Sequence, residues 1–301
     1  MAANTDFMTS WRQVERIGAT AAGGVERQAG TEEDRQLRDW FRAFAQQRGW
    51  RTVVDGIGNL YALVDFTPGA PYILAGSHLD SQPRGGRFDG AYGVLAGLHA
   101  AERLQDRFAE RGRAPRFNLA VVDWFNEEGG RFAPSLMGSS VYAGLKDRDE
   151  MLDRTDLAGV TVRDALTGIG YLGTDEPPTA AGYVEIHIEQ GRILEREGIP
   201  LGAVDSSWYT QKLDVEVLGE QSHTGATLME DRRDALYAAS YVIIAFNEIT
   251  RQYPPQSLVS SVGQIVVEPN SPIVVNRRVH LVGDLRANDP AVVRDARDRR
   301  R

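Results

Sequence analysis

Hydrophobic positions along the chain follow two periods. In "TEEDRQLRDWFRAFAQQRG", Leu37, Trp40, Phe41 and Phe44 recur at helical spacing behind Thr31, which stands three residues ahead of Asp34. That spacing predicts an N-capped amphipathic helix. "RTVVDGIGNLYALV" reads as two strands around a Gly/Asn turn. "YILAG", "FNLAVVDWF" and "YVEIHI" are short apolar runs, as expected of strands buried on both faces. "AYGVLAGLHAAERLQD", which follows the first of these runs, has helical periodicity. Strands alternating with helices predict an α/β layer with a mostly parallel central sheet flanked by helices.

The pattern changes near Trp208. "QKLDVEVLG" alternates like a half-exposed strand, "MEDRRDALYAASYVIIAFNEIT" is a helix with a charged start, and "SLVSSVGQIVV" and "RVHLVGDLR" are further strands. This β-α-β-β order predicts a smaller α+β unit with helices on one face of an antiparallel sheet. The change of character falls around 206–211, so domains of 1–207 and 208–301 are expected. There is no internal repeat and no low-complexity segment.

A length of 301 residues suits about two domains. With no cysteine, disulfides and thiolate metal sites are excluded, and any metal must sit on His and carboxylate ligands. The net charge is −8, and the basic residues are nearly all arginines scattered among acids, Lys146 and Lys212 being the lysines. Nucleic-acid binding is disfavoured. The terminal "RDARDRRR" reads as a frayed tail rather than a binding arm. No run is long enough to span a membrane, and "MAANTDFMTSWRQVERIG" lacks the layout of a secretory signal. A cytoplasmic location is expected.

The ionisable groups gather at strand ends, where open α/β sheets bind ligands. His78 follows "YILAG"; Asn126, Glu127 and Glu128 follow "LAVVDWF"; His187 ends "YVEIHI", with Glu189 and Gln190 just after it. Asp89 comes from "GSHLDSQPRGGRFDGAYG", whose glycines let the loop fold back tightly. Taken singly, a strand-end histidine is ordinarily structural, a Glu-Glu pair a solvated turn and Asp-Gly merely a turn. Their joint placement at one rim points to metal chemistry. A carboxylate such as Asp89 bridges cations about 3.5–4 Å apart, and imidazoles complete the shell of a borderline metal. Asp80 is placed to accept the other ring N–H of His78. Of Glu127 and Glu128, one suits ligation and its neighbour proton transfer from water. His99, on a helix, and His280, in a strand, lack such context and read as structural or solvent-exposed.

"GSHLDSQPRGGRFDGAYGVLAGL", "NEEGGRFAPSLMGS", "HIEQGRILE" and "GEQSHTGATLMEDRRDAL" closely resemble motifs of the M20-type dinuclear metallohydrolases. The nearer resemblance is to the branch of N-carbamoyl-L-amino-acid hydrolases, beta-ureidopropionases and allantoate amidohydrolases. It runs from about residue 10 to residue 286. "HIEQG" is the most telling motif, because peptidase relatives place a carboxylate where His187 stands; an aminopeptidase of the same superfamily is thereby disfavoured. The resemblance implies two divalent ions (zinc, manganese or cobalt). One would be held by His78, Asp89 and His187, the other by bridging Asp89, Glu128 and a later histidine. It implies Glu127 as general base, and Gln190, His223 and Arg286 in contact with a carbamoyl or ureido substrate that carries a carboxylate. His223 and Arg286 lie on the smaller domain, which in the family dimerises and serves as a lid, so a homodimer is expected. His223 would reach the partner's site and stabilise the oxyanion.

Two departures qualify this. No histidine follows His280, so the last ligand has no counterpart, and the catalytic domain is expected to lack its C-terminal part and the smaller domain its closing strand. One firmly bound metal, an incomplete second site and weak turnover follow as expectations. Further, an asparagine stands thirteen positions before the arginine in the family, whereas this position is Ile273, and Asn276 sits where proline is usual. Asn270 or Asn276 is left to substitute in binding substrate. The expected activity is hydrolysis of an N-carbamoyl-L-amino acid to the amino acid, CO2 and NH3. The alternatives are allantoate hydrolysis, or a truncated pseudoenzyme acting as a dimerisation or ligand-binding module.

Overall fold

The computed structural model describes residues 6–299. The start of the N-terminal stretch and the end of the basic run at 294–301 lie outside the described residues. The chain divides into two compact units, Met1–Arg192 and Ile193–Arg301. Among the described residues, no helix is long and apolar enough to cross a membrane.

The first unit runs α1 (Phe7–Val14), α2 (Glu32–Gln47), β1 (Arg51–Val54), β2 (Leu60–Val64), β3 (Tyr72–Ser77), α3 (Ala91–Arg111), β4 (Asn118–Asp123), α4 (Met137–Tyr142), α5 (Arg148–Leu152), α6 (Val162–Gly168) and β5 (Ala180–Val184). Its strands form one sheet in the order β1-β2-β4-β3-β5. The parallel character expected of the sheet resides in β4-β3-β5, where Ser77 pairs with Asp123 and Val184 with Ala75. The hairpin read in "RTVVDGIGNLYALV" adds β1 and β2 antiparallel to β4.

Alternation along β2 sends Leu60, Ala62 and Val64 into a core built with Leu37, Phe41, Leu95 and Leu98. Tyr61 and Leu63 face the opposite side with Leu74, Ala120, Val122 and Trp124. Both faces are covered, which is why these strands are apolar throughout. β5 departs from the expectation of a buried strand. It is an edge strand paired with β3, its Tyr183 and Val184 are exposed, and it ends at Val184, short of His187.

α2 begins as its sequence predicts: the Thr31 hydroxyl accepts the Asp34 N–H at 3.3 Å. The Asp34 carboxylate then turns back to accept the Gly30 N–H at 2.8 Å and holds Arg38 at 2.9 Å. Arg38 also reaches Asp123, at 3.2 Å, and donates to the Gly58 carbonyl at 2.7 Å. All three charged side chains are buried. His99 is structural, as its lack of glycine context suggested: it is buried between Ser10, 3.0 Å from Nε2, and Glu102.

The second unit runs α7 (Ile193–Glu197), β6 (Tyr209–Leu218), β7 (Ser222–His223), α8 (Ala235–Glu248), β8 (Val259–Glu268), β9 (Val274–Val275), β10 (Arg278–Ala287) and α9 (Pro290–Asp298). β6, β10 and β8 form an antiparallel sheet with β10 in the middle, and β7 pairs with β9. Ala239 and Phe246 of α8 and Val293 and Ala296 of α9 pack with Val279, Leu281 and Leu285 of β10. The opposite face of β10 is polar, with His280 against Asp214 at 3.0 Å and Arg278 against Glu216 and Glu268, each at 2.6 Å.

Candidate metal centre

β3 and β4 run parallel, so their carboxyl ends share one edge of the sheet, and the next residues of each strand deliver the chemistry there. His78 is the first residue after β3. The following loop returns through Asp89 to Gly90, which starts α3 at φ +63°, a conformation that favours glycine. A Cβ on Gly90 would lie 2.4 Å from the His78 carbonyl and 2.5 Å from its ring. Asp89 can approach His78 so closely only because residue 90 has no side chain.

After β4, Asn126 adopts φ +49° and its amide donates to the Phe132 carbonyl at 2.8 Å. The Glu127 carbonyl accepts the Leu136 N–H at 2.7 Å, and the Phe125 carbonyl accepts the Gly138 N–H at 2.9 Å. The adjacent glutamates thus sit on a turn stitched at several points. Past β5 the chain bends so that His187 and Gln190 come back to the loop, Gln190 at φ +56°.

His78, Asp89 and His187 converge: one ligand atom from each lies within 4.8 Å of the others. His187 Nε2 is 3.1 Å from Asp89 Oδ1, and His78 Nε2 is 3.8 Å from Asp89 Oδ1 and 3.4 Å from Glu127 Oε2. Glu128 lies at the same edge, its Oε2 accepting from Gln82 at 3.1 Å. The Gln190 amide donates to the second oxygen of Asp89. Asp80 is arranged differently from the sequence expectation. His78 Nδ1 lies 2.9 Å from the Asp80 main-chain oxygen, whereas its carboxylate, 3.5 Å from Nδ1, accepts the Glu127 and Glu128 N–H groups at 3.1 and 3.3 Å. It therefore ties the histidine loop to the glutamate turn.

The electrostatics are those of a carboxylate nest. Burial alone would lower the His78 pKa, but the Asp80, Glu127 and Glu128 carboxylates override it and hold the imidazole up at about 10. His187 is raised to about 9, chiefly by its contact with Asp89 and against the effect of burial. Burial pushes Glu127 up, opposed by His78, and pushes Glu128 up to about 7, opposed by the hydrogen bond from Gln82. For Asp89, burial works upward, but the imidazoles and Gln190 win and lower it. The site draws positive charge to itself.

The donors fit a divalent cation. His78 Nε2, Asp89 Oδ1 and Glu128 Oε1 are buried and make no hydrogen bond, although His187 Nε2 comes within 3.1 Å of Asp89 Oδ1. Close polar atoms that do not bond one another are what ligands aimed at a common third body look like. Imidazole plus carboxylate is a donor set for zinc and similar borderline metals.

In the second unit, His223 is exposed on β7, and its Nδ1 accepts the Gly225 and Ala226 N–H groups at 3.0 and 3.1 Å. The neutral ring therefore carries its proton on Nε2. Arg286, on β10, donates from Nε and Nη2 to Asp284 at 2.9 and 2.8 Å, beside Lys212 on the same carboxylate oxygen at 2.8 Å. Asn276 is buried and its side-chain oxygen accepts the Asn270 N–H at 3.1 Å, while Ile273 is exposed. The oxygen of this asparagine is thus engaged within its own loop. The sequence placed Asn126 at this strand end without giving it the turn-holding part it plays here, and Arg38 and Asp123 were not singled out at all; an acid inside the apolar run "LAVVDWF" is the signal that could have found the last.

An α/β layer whose parallel strands deliver a His/Asp/His cluster and adjacent glutamates to one edge defines a metal-dependent hydrolase. The chain belongs to peptidase family M20/M25/M40, whose profile matches residues 74–295, and is a metal-dependent amidohydrolase. It is 53% identical over 304 residues to a Mycolicibacterium smegmatis protein with only a general hydrolase description, covering 98% of this chain and 69% of that one. It is 35% identical to the N-carbamoyl-L-amino-acid amidohydrolase of Rhizobium meliloti, over 94% of this chain and 67% of the relative. Its identity to the allantoate amidohydrolase of Escherichia coli is 32%, over 93% and 68%. Among solved structures, an amidase of the hydantoinase/carbamoylase family from Burkholderia vietnamiensis superposes with a TM-score of 0.90 at 37% identity, over 99% of this chain and 73% of that one. The chain thus spans about two thirds of these relatives.

Proposed function

We propose that the chain hydrolyses the carbamoyl C–N bond of an N-carbamoyl-L-amino acid, releasing the amino acid, ammonia and carbon dioxide. The observation that carries this reading is the convergence of His78, Asp89 and His187 within 4.8 Å, with a Glu127 oxygen 3.4 Å from His78. His78, Asp89 and His187 would hold one divalent cation and Glu128, with Asp89, would serve a second. Such cations supply Lewis acidity at a carbonyl oxygen and lower the pKa of water.

Glu127, held up by burial, takes the proton of the attacking water and returns it to the leaving nitrogen. The water oxygen bonds to the carbamoyl carbon, the C–N bond to ammonia breaks, and the remaining carbamate loses carbon dioxide. Gln190 contacts the substrate from the side of Asp89. The donors of Arg286 not taken by Asp284 suit a bidentate grip on the substrate carboxylate. His223, with its proton on Nε2, donates to the oxyanion in the site of a partner subunit. Dimerisation through the second unit is supported by the exposed Leu236, Tyr237, Tyr241 and Ile244 of α8. A second reading, allantoate as substrate, is favoured by the resemblance to the Escherichia coli relative.

The test is a panel of N-carbamoyl-L-amino acids, beta-ureidopropionate and allantoate, with zinc, manganese or cobalt added. Turnover of a carbamoyl amino acid is expected, and Glu127→Gln should lower kcat by about 10²–10⁴-fold while metal uptake persists. A metal-loaded wild type inert toward the whole panel, or a Glu127→Gln variant with undiminished kcat, rejects the assignment.

A further inference from the structure

Three buried charges that no step above uses form a chain that ends, at Asp123, on the loop that carries His78. The side chains of Asp34, Arg38 and Asp123 are 0%, 1% and 0% exposed. Burying such groups is costly, and apolar side chains of similar volume often stabilise a core as well. Their contacts show what they do instead. Asp123 Oδ1 accepts the N–H of Leu79 at 2.8 Å, and Arg27, also buried, donates from Nε to the Leu79 carbonyl at 3.2 Å. Leu79 stands between His78 and Asp80, so both of its polar main-chain atoms are pinned by charged side chains. Arg38 in turn forms an ion pair with Asp123, Nη2 lying 3.2 Å from Oδ2, and is itself held by Asp34 and the Gly58 carbonyl, with the rings of Phe125 and Tyr171 5.4 and 5.3 Å from its guanidinium carbon. Asp123 is also the last residue of β4, from which the chain leads directly to Glu127 and Glu128.

We propose that Asp123, clamped by Arg38, is a positioning residue for the metal centre: by holding Leu79 N–H it fixes the spacing of His78 from the Glu127–Glu128 turn. This rests on the reading that His78, Asp89 and His187 bind a divalent cation. Asp123 touches neither substrate nor metal; it acts through the peptide between two site residues.

The experiment titrates Co²⁺ into the metal-free full chain and follows its visible absorption, with a thermal melt of each protein in parallel. Asp123→Leu removes the acceptor and should weaken Co²⁺ binding by about 10–100-fold and change the spectrum. Asp123→Asn keeps an oxygen for Leu79 N–H and should stay within about threefold of wild type. Arg38→Met frees Asp123 and should weaken binding by about tenfold. A residue that is merely structural would lower the melting temperature and leave the affinity and spectrum of the folded protein alone. Where Asp123→Leu gives no cooperative melt, Arg38→Met decides by the same criterion. The proposal is overturned if the folded variant keeps wild-type affinity and spectrum, or if Asp123→Asn loses as much as Asp123→Leu. A wild type that takes up no Co²⁺, like its His187→Ala variant, overturns the metal reading itself and this proposal with it.

Discussion

Asp123 carries a consequence for stability as well as for positioning. Burial pushes its pKa up to about 7, with Arg38 opposing, whereas an unfolded aspartate titrates near about 3.9. Between those values the folded chain keeps a proton that the unfolded chain has lost. The contribution of this residue to stability is therefore full below about pH 4 and falls as the pH rises toward about 7. Asp123→Asn has no such proton to lose. Urea midpoints measured from pH 5 to pH 8 should fall more steeply for wild type than for Asp123→Asn. A wild-type-minus-variant difference that is flat, or rises with pH, would refute this. His78, Asp89 and His187 were legible because glycine-rich flanks and strand ends mark them out. Arg38 was not, because an arginine four residues after Asp34 on a helix reads equally well as a surface pair; only the strand order brings Asp123 alongside it.

Among the elements, the hairpin's turn and the segment that follows β4 toward the glutamates are tied by one side-chain amide, in addition to the β2–β4 ladder. Asn59, buried at the mouth of β2, accepts the Phe125 N–H at 3.0 Å and donates to the Gly138 carbonyl at 3.1 Å and to Asp55 at 2.8 Å. Asn59→Ala would strand a buried donor, a buried acceptor and part of a carboxylate. A loss of about 2–4 kcal/mol is expected in urea unfolding, together with lower turnover, since the Asn126–Glu128 turn begins at Phe125. An unchanged urea midpoint would show that water replaces the amide. The same scale separates the strands that periodicity read correctly from the one it did not. β2 and β4 lie between two packed faces, so their apolar runs report burial directly. The run "YVEIHI" is apolar too, yet β5 ends at Val184 and, among the described residues, pairs with β3 alone, leaving Val184 64% exposed, and His187 and Gln190 follow beyond the strand's end. Local pattern encodes strand preference; whether a neighbour covers the strand is a property of the sheet.

At the scale of the whole chain, the two units have separate cores, one gathered around Leu37, Phe41 and Leu95 and the other around Leu281, Leu285 and Phe246. The change of period near Trp208 falls inside the second unit, which begins at Ile193; half-exposed alternating strands differ visibly from doubly buried ones, whereas the stretch before β6 carries no periodic signal of the division. The His78, Asp89 and His187 cluster belongs entirely to the first unit. A cation that binds the folded cluster and not the unfolded chain stabilises only what must unfold to release it. At a free metal concentration a hundredfold above Kd, the gain is about 2.7 kcal/mol. Hydrogen exchange should therefore slow for the buried amides of β3 and β4 when zinc or manganese is added, and return to its starting rate with a chelator. The amides of β10, held between β6 and β8, should exchange alike in both conditions. Equal slowing in β10 and β3 would mean that the units unfold together, and that the metal centre stabilises the chain as one cooperative body rather than the unit that holds it.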